Sequence, residues 1–181
     1  MKKHLLLLIV LSSSFIVANA QNLVQNPSFE TYDTCPNSDG QIKYAIGWSS
    51  YASSSDYFNS CSPPYGEGVP YTLVGFQYAH TGIAYAGEYF YAPTSSSAYR
   101  EDMGTTLLTP LTIGTKYYVT FWVNLCSTDT NYGGNTAVNK EGALFSTVQY
   151  SINSPAPTNN FAQVYTNTII SDTLSWTMIQ C

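Results

Sequence analysis

Tyr117-Tyr118-Val119-Thr120-Phe121-Trp122-Val123-Asn124-Leu125 is the stretch on which the fold class turns. Tyr117, Val119, Phe121, Val123 and Leu125 fall on one side of an extended chain, and Tyr118, Thr120, Trp122 and Asn124 on the other. Side chains of a strand alternate between faces, so this period of two predicts a β-strand with an apolar inner face. Ile113-Gly114-Thr115-Lys116 reads as the turn that leads into it. Shorter strand candidates are Leu23–Val24, Gly75–Tyr78, Ile83–Tyr91, Ala143–Tyr150, Gln163–Ile169 and Ser175–Ile179. Between them lie turn-rich stretches: Pro36 to Gly40, Cys61 to Pro70, Pro93 to Ser97, Thr128 to Asn139 and Asn153 to Asn160. No long apolar stretch carries the helical period of 3.6. Many short strands between Gly, Pro and Ser turns predict an all-β chain folded as an antiparallel β-sandwich. No internal repeat and no linker divides it.

Residues 1–20 have a different character. Met1-Lys2-Lys3-His4 is basic, Leu5 to Leu11 is apolar, and Ala18-Asn19-Ala20 is a small-x-small exit before Gln21. These are the three parts of a cleavable signal peptide. Ser12 to Ser14 break the apolar run, leaving it short of the roughly 20 residues a membrane span requires. No cysteine follows the exit and no later stretch is long and apolar enough to span, so the mature chain is expected to be exported without a transmembrane segment. Its destination is the periplasm, the cell surface or the medium.

The mature chain, residues 21–181, suits one domain with a real core. Four basic residues face eleven acidic ones there, a net charge of −7 with histidine neutral. That balance argues against nucleic acid and anionic membrane as partners, since both demand basic patches. Charged residues are sparse and tyrosines number 16, a composition that fits extracellular β-domains. All four cysteines, Cys35, Cys61, Cys126 and Cys181, lie in the mature chain. An even count in an exported chain suggests disulfides, and four cysteines allow three pairings. Cys35 with Cys61, in two Pro/Ser-rich loops, is the favoured bridge. It would close a loop of about 25 residues, worth about 3 kcal/mol in the loop-entropy picture. Cys126 and Cys181 then pair by default, the alternative being a Cys126 thiol on a core face. Thr173 to Cys181 reads as the start of a strand, so a further strand is expected beyond it.

The opening Asn26-Pro27-Ser28-Phe29-Glu30, followed by Gly47-Trp48, resembles the galactose-binding-like jelly-roll domains that include several carbohydrate-binding modules. The ordered series Asp56-Tyr57-Phe58-Asn59, Gly75-Phe76-Gln77, Gly82 to Gly87, Tyr99-Arg100-Glu101 and Leu108 to Leu111 resembles more closely a group of secreted and cell-surface Bacteroidetes domains. The likeness runs over about residues 22–180. It implies a jelly roll of the kind often placed ahead of an OmpA-like domain or a sorting signal. It also implies that the acidic residue of the N-x-x-F-E element, Glu30, helps hold a structural calcium ion, which takes six to eight oxygen ligands.

Candidate ligand residues are aromatic and polar, because Trp and Tyr faces stack on the C–H surfaces of sugars. Trp122 projects from the strand face opposite Val119 and Phe121. Tyr57, Tyr65, Tyr71, Tyr89, Tyr91 and Tyr132 lie in or near loops, and Tyr57 and Tyr89 join Trp122 as the leading candidates. Arg100 could bind a glycan or pair with a neighbouring carboxylate. Phe29 and Trp48 are expected in the core. Asp129 to Gly134 opens like a calcium loop, but Gly133 and Lys140 stand where that pattern requires an oxygen side chain and a glutamate, so a glycine-rich turn is expected. Catalytic signatures are poor. His80 is the only mature histidine and no G-x-S-x-G elbow occurs. Glu88 and Glu101 are a carboxylate pair of unknown separation. The resemblance, with the aromatic candidates beside it, implies a non-catalytic binding module for carbohydrate or another cell-envelope component. A structural envelope domain without a small ligand is the second reading.

Overall fold

The computed structural model describes residues 21–93, 98–127, 136–151, 153–154 and 162–181. The expected signal segment 1–20, Tyr132 and the expected glycine-rich turn at 129–134 lie outside the described residues. A 3-10 turn, Ile42–Tyr44, precedes twelve short strands: β1 Trp48–Ala52, β2 Asp56–Asn59, β3 Tyr71–Thr72, β4 Gly75–Phe76, β5 Ala84–Gly87 and β6 Ala92–Pro93, then β7 Ala98–Tyr99, β8 Asp102–Thr105, β9 Thr120–Val123, β10 Gly142–Ala143, β11 Val164–Tyr165 and β12 Thr177–Gln180. No α-helix occurs among the described residues, and none of their helices is long and apolar enough to cross a membrane. The strands associate antiparallel in twos: β1 with β8, β2 with β5, β3 with β4, β6 with β7, β9 with β12 and β10 with β11. The chain is therefore mostly β, built of several two-stranded antiparallel sheets.

The central core lies between the 3-10 turn, β2 and β5. Ile42, Ala45, Tyr57 and Ala84 are buried there, with Phe29, Trp48 and Met103 packed against them. The opening motif reaches this core through a turn. Pro27 fixes the backbone in the second position of Asn26 to Phe29, and the Phe29 N–H donates to the Asn26 carbonyl at 3.1 Å. The Asn26 amide closes the turn, donating to the Thr31 and Ile46 carbonyls at 2.8 and 3.0 Å. Phe29 is thereby laid on Trp48, ring centroids 4.7 Å apart, and the Trp48 indole N–H donates to the Asn26 carbonyl at 3.0 Å. The expected core placement of Phe29 and Trp48 is what the packing shows.

In β9, Thr120 and Trp122 are exposed while Phe121 and Val123 are half-buried, so the alternation read from the sequence is present. Among the described residues β9 pairs with β12 over four residues, with Thr177 opposite Val123 and Gln180 opposite Thr120, so the strand is shorter than the nine residues of the alternating stretch. Single bonds extend this pairing. Val119 and Cys181 exchange N–H···O contacts of 3.0 and 3.1 Å, and the Leu125 N–H donates to the Asp172 carbonyl at 2.9 Å.

That register decides the cysteines. Cys35 and Cys61 form the expected disulfide, with Cα atoms 5.9 Å apart. The expected Cys126–Cys181 bridge does not form, and both residues are thiols. Cys181 lies opposite Val119, seven residues from Cys126, which at the rise of a strand is about 23 Å against the 4.4–6.8 Å a disulfide spans.

Candidate functional site

The described residues carry one conspicuous aromatic surface. Trp122 is 40% exposed, and its indole lies flat on the His80 ring, centroids 4.0 Å apart and planes 21° from parallel. Trp176, on the segment leading into β12, meets His80 edge-on at 6.3 Å and Tyr85 at 5.6 Å. Its indole N–H donates to the Tyr78 carbonyl at 2.9 Å, which fixes the ring against the 76–80 segment. Between 76–79 and 173–176 lies a recess of about 220 Å³, with Phe76, Tyr78 and Trp176 among its walls.

The surface continues along the β3–β4 hairpin. Tyr71 and Phe76 sit opposite each other across the two strands, and Leu73 and Val74 make the turn between them. Ring contacts run from Tyr65 to Tyr71 at 5.6 Å, to Phe76 at 4.9 Å and to Tyr78 at 5.2 Å. All four residues are exposed. The hairpin is anchored from below. Gly75 adopts φ +132°, and a Cβ there would stand 2.1 Å from Ser127 Oγ, the atom that accepts from the Phe76 N–H at 3.0 Å. Exposed apolar surface in one continuous patch is the usual mark of a binding face.

The four expected ligand residues do not converge. Trp122 lies on the aromatic face. Tyr57 is a correction: it is fully buried, its hydroxyl donates to the Phe29 carbonyl at 2.8 Å and accepts from the Asn59 amide at 2.7 Å, so it pins the core and meets no ligand. Burial raises its phenol to about 12. Tyr89 lines a different recess, of about 150 Å³, together with Asp39, Ser54, Asp56, Leu73, Val74, Tyr99 and Glu101. Arg100 is exposed, and Asp102 beside it is raised by burial, with the Arg100 charge opposing part of that rise.

That second recess is rich in carboxylates. Glu101 is buried, and its two oxygens accept from the Tyr99 hydroxyl at 2.8 Å, Ser54 Oγ at 3.0 Å and the Tyr89 N–H at 2.9 Å. A carboxylate so occupied holds its loops together. Burial pushes Asp56 to about 7, against the Gly40 N–H that donates to it at 2.6 Å. Burial also raises Glu67 to about 7, with repulsion from Asp56 and Asp39 adding to it. Glu88 is held well above the usual carboxylate range, first by burial and then by repulsion from Asp102. Of the carboxylate pair read from the sequence, Glu101 adds only a smaller push to Glu88.

Glu30 is engaged by the backbone. Its two oxygens accept from the Ile83 N–H at 3.0 and 3.1 Å, and Oε1 accepts from the Ala84 N–H at 3.3 Å. Gly82, at φ +67°, makes room for it, since a Cβ there would stand 2.2 Å from Glu30 Oε1. Amide protons directed at both oxygens suit a carboxylate that ties the opening segment to β5, and they oppose a cation in the same place. Among the described residues no three His, Cys, Asp or Glu side chains group to hold a metal ion. The residues present do not fit the calcium shell expected at Glu30.

Phe76, Tyr78, His80 and Trp176 are the members of the aromatic face that sequence reasoning passed over. The signal was there: Phe76, Tyr78 and His80 alternate with Gln77 and Ala79 at the period of an extended chain.

The fold and face together define a β-rich domain presenting a continuous aromatic surface. No family model, no curated protein sequence and no solved structure matches the chain.

Proposed function

We propose that the chain is exported and works, after loss of residues 1–20, as a non-catalytic carbohydrate-binding module of the galactose-binding-like jelly-roll kind, at the cell surface, in the medium or in the periplasm. The observation that carries this reading is Trp122, an exposed indole backed by a parallel imidazole and flanked by Trp176. A ring held flat from behind offers its outer face to a sugar ring at little entropic cost. The Cys35–Cys61 bridge supports an oxidising compartment outside the cytoplasm. Pairing of strands far apart in sequence, β1 with β8 and β9 with β12, supports a sandwich over a meander of consecutive hairpins. The Glu101 carboxylate, occupied by three donors, supports a binding role over hydrolysis.

The test is glycan-array and polysaccharide-affinity binding by residues 21–181, wild type against Trp122→Ala. Binding that falls about tenfold or more with an unchanged unfolding transition is expected. Absence of binding to every glycan, beside specific capture of one envelope protein, overturns the reading.

A further inference from the structure

Resting on the carbohydrate reading, we propose that the ligand is a single, soluble, uncharged polysaccharide chain, held internally along the aromatic strip from Tyr65 through Tyr71 and Phe76 to Tyr78 and into the recess against Trp176. Three observations carry this. The first is continuity: each ring touches the next, at spacings of 5.6, 4.9 and 5.2 Å, and Phe76 and Tyr78 belong both to the strip and to the wall of the recess. A run of rings longer than one sugar recognises a chain rather than a terminal residue.

The second is orientation. Neighbouring planes stand 41°, 65° and 84° apart, the last two pairs meeting edge to face, so the rings form no flat plate. A flat crystalline polymer face needs coplanar rings, whereas a single chain in solution can bend and turn to meet rings set at different angles. The third is polarity. The residues of the strip and of the recess wall at 173–176 carry no Lys, Arg, Asp or Glu. The hydroxyls of Tyr65, Tyr71 and Tyr78 make no hydrogen bond to another described residue, unlike that of Tyr57. Apolar faces edged by unused hydroxyls match neutral sugar rings, with C–H patches between O–H groups. An uncharged lining has nothing with which to compensate a polyanion or polycation.

The test uses residues 21–181 with native affinity gels containing soluble mixed-linkage β-glucan, xylan or galactomannan, and calorimetry with two- to six-residue oligosaccharides of the strongest binder. Affinity is expected to climb about tenfold or more from the disaccharide to the longest oligosaccharide. Tyr65→Ala, at a residue 79% exposed, should cost about fivefold for the longest oligosaccharide and nothing for the disaccharide, with an unchanged unfolding transition. Trp176→Phe, which keeps an aromatic wall, should weaken all lengths together. Equal affinity for disaccharide and longest oligosaccharide overturns the chain-binding proposal while leaving the carbohydrate reading intact. So does retention on crystalline cellulose or chitin equal to that on the soluble chains. No binding to any glycan overturns both.

Discussion

Replacing Asp56 by asparagine should stabilise the protein above neutral pH and leave it nearly unchanged near pH 4. Asp56 is raised from 3.8 to about 7, first by burial, with Glu101 and Asp39 adding repulsion. A carboxyl whose folded value exceeds its unfolded value holds its proton in the native state while the unfolded chain has released it. Stability therefore falls as pH rises from about 4 to about 7, by about 1.4 kcal/mol per pH unit for one group, and is level above that. Over some three units the ionised group costs of order 4 kcal/mol at pH 8. Asparagine removes that cost and keeps an acceptor oxygen for the Gly40 N–H. Glu67, raised to about 7 partly by Asp56, titrates in the same direction, so the variant keeps a shallower slope of the same sign. The assay is urea unfolding of both proteins at pH 4, 5, 6, 7 and 8, disulfide intact, followed by tryptophan fluorescence. The two curves should meet near pH 4 and diverge by several kcal/mol at pH 8. Parallel curves, or a wild type that gains stability from pH 5 to 8, would refute the reasoning.

Cys35→Ser should lower stability by about 3.5 kcal/mol, the loop-entropy value for residues 26 apart, read as a shift in the urea midpoint at constant pH. Thiol titration of the urea-unfolded, unreduced protein should count two thiols, Cys126 and Cys181, and a count of zero would show a second bridge. Glu30→Gln should cost about 1–3 kcal/mol by weakening the acceptor for the Ile83 and Ala84 N–H groups, and millimolar calcium or chelator should move the melting temperature of neither protein. Gly82→Ala should destabilise by a similar amount, because its Cβ would collide with the same carboxylate at a left-handed φ, and an unchanged melting temperature would count against the Glu30 pin.

Local patterns were legible where one face of a strand meets solvent. β9 alternates because Trp122 and Thr120 are outside and Phe121 is half-buried. β2 offered no such signal: Asp56-Tyr57-Phe58-Asn59 is almost wholly enclosed, with three of its four residues buried, so polar Asn59 sits as deep as Phe58. β1, Trp48-Ser49-Ser50-Tyr51-Ala52, was not among the strand candidates because its paired serines break any apolar alternation, yet it pairs with β8. Tyr57 misled for a related reason. A tyrosine beside a serine run looks exposed, but its hydroxyl found the Phe29 carbonyl and Asn59, which allowed the ring to be buried. The candidate site was legible at Trp122 and in the alternation of Phe76, Tyr78 and His80. Trp122 and Trp176 are distant from that segment in sequence, and it is their apposition to it that makes a face. The calcium role that the resemblance implies for Glu30 turns on direction, and a motif names an acid without saying that the Ile83 and Ala84 N–H groups point at it.

The turn at Asn26 to Phe29 also bears on the order of assembly. Almost everything that holds this opening segment comes from downstream: Asn26 reaches Ile46, Phe29 receives the Tyr57 hydroxyl, Glu30 takes the amides of Ile83 and Ala84, and Gln25 donates to the Thr106 carbonyl. In a chain threaded N-terminus first, the earliest mature residues to emerge must wait for some eighty more before their last partner arrives. Such long-range closure is slow, and until then Phe29 and Trp48 are bare. A chain of this design is most prone to aggregate while only part of it has emerged, and on the proposed export route that interval is the one in which a holding chaperone has most to protect.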